Sequence, residues 1–290
     1  MDLKPGIYEN ISHSEYLALP YFSKSMVGPL LKSPKHLKHY QENDGKKSKR
    51  MDFGSVVDCL LLEPEREDDI FIIPETYCDA KGHSKPFNMR SNSCRQMVKN
   101  AEEKGHVCIN NADFERSRSV VDAVKSHPMA NSWLKGKYQV TIIWDDPQTG
   151  IRCKGRLDIL GDDRAIDLKC TEQIEPDKFR RTATNLRYHV QAAMYLMGLH
   201  CIDKGDYPEL GDWPFPFSFI CAETVAPFDV VLYDMQVDSL MAGRHVFEYA
   251  VQIYVDCKLS NKWPGISNFA EPLEISQWAL NKIAYEGEVV

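Results

Sequence analysis

Several features are missing from this chain of 290 residues, and each absence excludes something. Nine cysteines are present, but no two form a CxxC pair. The number is odd and the chain is too large to need covalent staples. They read as reduced thiols of a cytosolic protein, and they argue against a zinc ribbon or an iron–sulfur cluster. There is no run of about 18 apolar residues and no apolar segment after Met1, so neither a membrane span nor a leader is expected. There is no excess of positive charge: the net charge is −7, and a nucleic-acid partner would need a local basic surface. No internal repeat is visible. What is present is ordinary for a globular protein, 43% hydrophobic and 27% charged, in a chain able to bury one large core or two modest ones.

The most informative stretch is 151–171, IRCKGRLDILGDDRAIDLKCT. Arg152 to Leu160 and Ala165 to Lys169 read as strands, joined by a turn of Gly161, Asp162, Asp163 and Arg164. With that loop Leu160 pairs with Ala165, which sets Asp158 directly opposite Asp167 and Arg156 opposite Lys169. The two carboxylates would then stand about 5 Å apart at Cβ, with an ammonium one step along the same face. Like charges directly opposed destabilise a bare sheet. Either the acids sit in water on an exposed strand pair, or a divalent cation lies between them.

Taken in order, the chain opens with turn residues and aromatics, and Ser12 with Glu15 has the spacing of a capping box. Ser23 starts a helix through Leu31, with Pro29 expected to kink or end it. Ser33-Pro34 starts another, to Tyr40. Met51 to Leu62 is a strongly apolar helix interrupted by Asp58. A buried carboxylate there needs a metal or a lysine, unless it simply faces water at the helix edge. Asp69–Pro74 is a short strand, 75–90 a mobile loop, 92–103 a helix, 106–109 a strand and 112–126 a helix capped by Asn111. Tyr138–Trp144 completes an antiparallel meander with the two central strands. Tyr188–Leu199 is a helix in which Tyr188, Gln191 and Tyr195 share a face. Phe217–Ala222 and Phe228–Tyr233 are strands, Val237–Tyr254 a long helix, and the tail beyond Trp263 is expected to pack on the surface.

Positive charge is concentrated in two places. Between residues 24 and 50 lie Lys24, Lys32, Lys35, Lys38, Lys46, Lys47, Lys49 and Arg50, opposed only by Glu42 and Asp44. After Pro176 come Lys178, Arg180, Arg181 and Arg187. Each reads either as a phosphate-binding surface or as a solvated face.

The order of these features resembles the PD-(D/E)XK nuclease superfamily, and within it the C-terminal nuclease domain of the RecE, or exonuclease VIII, family. The segments that carry the likeness are GIYENISHSEY, SKS with its following SP, MDFGSVVDCLLLEP, WDDPQTGI, GRLD with IDLK, and YHVQAAMY. The resemblance implies one nuclease domain over residues 1–290: a basic helical region at 1–50, a core at 51–260 and a tail at 261–290. It implies an α/β (α+β) restriction-endonuclease-like fold, a mixed sheet with a three-strand antiparallel meander flanked by helices. Asp158 and Asp167 match the family's metal-binding acids, Lys169 its catalytic lysine, and Gln191 with Tyr195 its QxxxY motif. Asp58 stands where relatives carry a histidine, a departure that keeps a hard oxygen ligand suited to Mg²⁺. Gln139 replaces a glutamate of some relatives and is expected only to position water.

The implied activity is a Mg²⁺-dependent exonuclease, with Mn²⁺ as a substitute, digesting linear duplex DNA from 5′ ends. It would leave 3′ tails for an annealing protein of the RecT type, in the cytoplasm of a bacterial or phage-infected cell. One or two ions would be held by Asp58, Asp158, Asp167 and the Leu168 carbonyl. Lys169 would orient or deprotonate the water or stabilise transition-state charge. Ser23, Lys24 and Ser25, or Arg180, Arg181, Arg187 and Tyr188, are the candidate DNA contacts. Relatives form rings, so a homo-oligomer is expected. The competing readings are an endonuclease of the same superfamily and a DNA-end-binding module without catalysis.

Overall fold

The computed structural model describes residues 2–43, 49–79 and 81–287, without the side chains of 49–52 and 283–287. Lys46 and Lys47, and the side chains of Lys49 and Arg50, therefore lie outside the described residues.

In chain order the elements are β1 (Gly6–Tyr8), α1 (His13–Ala18), α2 (Lys24–Lys32), α3 (Pro34–Glu42), α4 (Lys49–Leu62), β2 (Ile70–Ile73), β3 (Thr76–Cys78), β4 (Ser84–Pro86), α5 (Asn92–Glu103), β5 (Val107–Asn110), α6 (Asn111–Ser126) and α7 (Pro128–Trp133). There follow β6 (Lys137–Asp145), β7 (Arg152–Leu160), β8 (Ala165–Thr171), α8 (Pro176–Asn185), α9 (Tyr188–Lys204), β9 (Phe217–Glu223), β10 (Val230–Asp234), α10 (Val237–Ser260) and α11 (Gln277–Gly287). The main sheet has six strands in the order β1-β6-β7-β8-β9-β10. Among the described residues β8 and β9 are the one parallel pair of strands in this sheet, joined by a crossover through α8 and α9 as parallel neighbours require, and β2 pairs with β5 in parallel outside it.

Two apolar layers sandwich the sheet. On one side α2, α9 and α10 cover Val140, Ile142, Trp144, Leu157 and Phe219. On the other α4 and α6 cover Ile159, Ile166, Leu168 and Ile220. Helix α9 is apolar nearly all round, as a helix buried between layers must be. It seats closely because Gly155 and Gly198 leave room: a Cβ on either would lie 2.7 Å from the Tyr195 ring or the Trp144 indole.

Residues two apart in a regular strand share a face. Leu157 and Ile159 do not, for they belong to opposite layers. The switch falls at Asp158. Opposite it in the β6–β7 register is Gln139, a strand residue at φ +51°, where the ladder skips a pair. Left-handed backbone at a non-glycine residue carries strain, and here it turns the strand at the acid that matters most.

The N-terminal segment lies along the same strand. Arg152, Lys154 and Arg156 alternate along β7 and each reaches its backbone carbonyls. Arg152 Nη1 donates to Leu3 O (2.8 Å) and Arg156 Nη1 to Ile11 O (2.7 Å). Lys154 Nζ donates to Tyr16 O, Leu17 O and Leu19 O, at 2.7, 3.3 and 2.6 Å.

Several expectations need correction. The 75–90 stretch is not a plain loop, since β3 and β4 pair within it. Pro29 does not end α2, which continues to Lys32. Pro29, the sixth of nine helical residues, forgoes one backbone hydrogen bond, and the helix runs on for three residues beyond it. The cap of α6 is Asn110, whose side chain accepts from Asp113 N, rather than Asn111. Helices α7, α8 and α11 were not foreseen, being short or polar in pattern. The tail packs only at its beginning: Trp263 lies 6.1 Å from Tyr254 and Pro264 O accepts from Lys35 N. Farther on, Phe269 is 86% and Leu273 96% exposed. The expected pairing of Asp158 with Asp167 also fails, as described next.

Candidate active site

Strands β7 and β8 are paired at only two positions, Ile159 with Ile166 and Leu160 with Ala165. Beyond these they part, so Asp158 is not a ladder partner of Asp167, nor Arg156 of Lys169. The Asp158 side chain instead accepts the Leu168 N–H at 2.8 Å, taking up a donor that the parting strands leave behind. The Tyr195 hydroxyl does likewise on the other strand, accepting from the Arg156 backbone and meeting the Tyr16 hydroxyl of the N-terminal segment. The opening is thus plugged by side chains that satisfy its backbone.

Three carboxylates converge there: Asp58 from α4, Asp158 from β7 and Asp167 from β8. Burial raises the pKa of Asp58 well above its ordinary value, and the charges of Asp158 and Asp167 add to this. Burial, then Asp167, raises Asp158 to about 7, against the lowering effects of Lys169 and the Leu168 N–H. The Asp167 carboxylate is 3% exposed as a residue and lies against the Lys169 ammonium. Its Oδ1 accepts from Gln191 Nε2 at 2.5 Å, while the buried Oδ2 faces the Lys169 ammonium. Burial pulls the Lys169 pKa down, but Asp167 and its neighbours outweigh this and raise it, so Lys169 is a fixed cation at neutral pH.

The side chains fit a divalent cation in chemistry. They are hard oxygen donors whose mutual repulsion a cation would remove, a repulsion seen in the raised pKa values of Asp58 and Asp158. They are not closed around a common point: among the described residues no group of three His, Cys, Asp or Glu side chains could hold an ion as it stands. The ammonium of Lys169 holds the place beside Asp167.

A cleft of about 720 Å³, which Asp58 alone of the three acids lines, is formed by Gly54, Ser55 and Asp58 of α4, Lys169 and Thr171 of β8, and Thr182, Leu186 and Tyr188 across from them. Tyr188 starts α9 and carries two ammoniums over its ring, Lys169 at 4.7 Å and Lys24 at 5.5 Å. Burial chiefly, and then Lys169, lowers the Lys24 pKa to about 8. Arg187, the left-handed residue before α9, has Nη1 beside Gly28 of α2. Lys24, Arg187 and Tyr188 therefore stand together at the cleft. Ser23 and Ser25 hydroxyls bond each other at 3.0 Å at the start of α2, Ser23 being buried. Arg180 and Arg181 are exposed on α8, and Arg180 pairs with Asp177 at 2.9 Å. Gln139 accepts from Arg156 Nε at 2.9 Å, so it braces that arginine. Tyr16 was missed by sequence reasoning; no local pattern links it to Tyr195, 179 positions away.

A mixed sheet opened at its centre, with acids from two adjacent strands and a lysine two residues after one of them, defines the PD-(D/E)XK class of nuclease folds. The family model described as a PDDEXK-like domain of unknown function, DUF3799, matches residues 23–274, and the chain belongs to that family. Among solved structures, one of a protein from Eubacterium rectale provisionally named an exonuclease aligns with a TM-score of 0.60 at 17% identity, covering 97% of this chain and 98% of its own. At that identity the likeness is one of fold. No curated protein matches. Among the described residues no helix is long and apolar enough to cross a membrane.

Proposed function

We propose that the chain is a divalent-metal-dependent exonuclease that degrades linear duplex DNA from its 5′ ends. The observation that carries the nuclease reading is the convergence of Asp58, Asp158 and Asp167 on one buried opening with Lys169 against them. Exonuclease action is supported by the RecE-like motifs and by the name of the structural neighbour; the 5′ polarity and the 3′ tail passed to a RecT-type annealing protein are supported by the RecE-like motifs alone.

Asp58, Asp158, Asp167 and the Leu168 carbonyl are the groups to hold the ion, Mg²⁺ or Mn²⁺. When bound, such an ion supplies charge neutralisation at the phosphate and a more acidic water. Gln191 fixes the Asp167 carboxylate by its hydrogen bond to Oδ1, so that Oδ2 is held toward Lys169. Lys169, kept protonated, offers hydrogen bonds to the phosphate and stabilises charge in the transition state. That role suits it better than removing a proton from water. Lys24 and Arg187, with Tyr188 between ammoniums, receive the neighbouring phosphate. Assembly into a ring would enclose the duplex and favour processive digestion.

The test uses a linear duplex labelled at either 5′ or 3′ end, with a covalently closed circle as control, in Mg²⁺, Mn²⁺ or EDTA. Metal-dependent loss of the 5′ label with the circle spared is expected. Cutting of the circle would make the protein an endonuclease. End binding without hydrolysis in either metal would make it a binding module.

A further inference from the structure

Helix α8 separates the cleft from a second cavity. Its Thr182 and Leu186 face the cleft. Its Phe179, Arg180 and Ala183 face a cavity of about 420 Å³, closed on the far side by Tyr233 of β10 and by Gln236 and Ser239 at the start of α10. The second cavity lies over the face of the sheet that carries Phe219, whereas the cleft is also walled by α4 of the other layer. Asp167 is in register with Phe219 of β9, and Phe219 with Tyr233 of β10. The second cavity is therefore about 10 Å from the carboxylates, two strand spacings away.

A row of aromatic rings connects the two. Tyr188, with Lys169 over it, stacks on Phe219 at 5.5 Å. Phe179 lies 6.3 Å from Phe219 and stacks on Tyr233 at 4.9 Å with planes 12° apart. The Tyr233 hydroxyl donates to Ile174 O at 2.5 Å, which fixes that ring. The cavity is thus backed by rings packed on one another, of which Tyr233 is half-buried while Phe179 and Phe219 are buried, and it is edged by groups able to hydrogen-bond, Gln236, Ser239 and Asp234. Lys24, Arg187 and Arg180 lie on the cleft side and the rim. His189, which also lines the cavity, has its pKa lowered by burial and then by Arg187 and Lys24. An aromatic wall, polar edges and cations nearby make a combination suited to single-stranded nucleic acid.

We propose that this cavity is a binding site for an unpaired nucleobase of single-stranded DNA, whose backbone runs over Arg187 and Arg180 from the cleft. The proposal rests on the reading of the cleft as a nuclease site, since that is what brings a strand to its edge. It assigns the cavity to the nucleic acid itself and not to a protein side chain.

The test has two arms, both on the full chain in EDTA. A single-stranded oligonucleotide carrying 5-iodouracil is photocrosslinked to the wild-type protein and the adducts are mapped by mass spectrometry. Binding of a fluorescent oligothymidylate is measured by anisotropy for the wild type and for Ser239→Trp, which fills the cavity and leaves the cleft residues alone. Adducts at Phe179 or Tyr233 are expected, with affinity for the oligonucleotide at least about fivefold weaker in the variant. Adducts confined to Tyr188 and the cleft, or unchanged affinity in a folded Ser239→Trp, would overturn the proposal. Should the variant not fold, the adduct map decides alone. Because neither arm requires hydrolysis, failure of the nuclease reading would show separately, as adducts in the cavity without cleavage in any metal.

Discussion

Strand β7 carries buried charge toward both ends, and the two ends treat it in opposite ways. At Lys154 the cation is 6% exposed and its ammonium is surrounded by three carbonyl oxygens. Burial opposes both charges, lowering the Lys154 pKa to about 8 and raising that of Asp158, four residues on, to about 7, but Asp158 is set beside further carboxylates that add to the effect. The pairing differs in the same way. Between β6 and β7 the ladder runs nearly the length of both strands, whereas β7 and β8 pair at two positions only. A buried charge that serves the fold is satisfied within the chain. One that serves chemistry is left short of a partner that must come from outside.

Asp158→Asn breaks this comparison most directly. The amide oxygen can still accept the Leu168 N–H, so the fold is kept while a ligand charge is lost. Cleavage of linear duplex in Mg²⁺ should fall by about 10³-fold or more, a loss of the size seen when a charged group is removed from a preorganised site. A variant retaining more than a tenth of wild-type activity would remove Asp158 from the site.

Lys154→Met tests the other end. Three carbonyls lose a charged donor, and stability should fall by about 3 kcal/mol in denaturant unfolding. Cleavage per folded molecule should be nearly unchanged. Equal loss of activity would mean that the N-terminal segment takes part in catalysis.

The third prediction concerns pH. Asp158 has a folded pKa of about 7, above its ordinary value, so the folded state binds the proton more tightly than the unfolded state. Its contribution to stability is complete below about pH 4 and is lost as pH rises through about 7. In EDTA the melting temperature of wild type relative to Asp158→Asn should therefore fall between pH 5 and 8, and Mg²⁺ should reverse the fall. Metal binding should release protons over the same interval. A difference in melting temperature that stays flat across that range would mean that Asp158 is already charged.

The smallest effect is expected for Tyr195→Phe. It removes the hydroxyl that accepts the Arg156 N–H in the opening, worth about 1 kcal/mol. Activity should fall severalfold at most. Loss as large as that of Asp158→Asn would give the hydroxyl a direct role.

Much of this site could be read from the chain. The spacing of Asp158, Asp167 and Lys169 in two strands joined by a short turn was visible, and the Leu160–Ala165 register was correct. Asp58 stood out because a carboxylate interrupts an apolar helix. Other parts could not be read. A short turn fixes the register beside it, but it does not say how far the ladder runs. Where β7 parts from β8, Gln139 at positive φ, Tyr195 over Gly155 and the Tyr16 hydroxyl come together, and they are far apart in sequence. The second cavity was equally hidden, because α8 is polar in pattern and its aromatic wall is gathered from α8, β9 and β10.

The sequence alone determined which residues could do chemistry and on which kinds of element they lie, because strand alternation, helix periodicity and turn composition are local properties. Tertiary structure decided that three acids share one opening, that Lys169 lies against Asp167 and that Lys154 is satisfied. Each of these depends on distances between distant segments, and in a low-dielectric interior such distances settle whether a buried charge is silent or reactive.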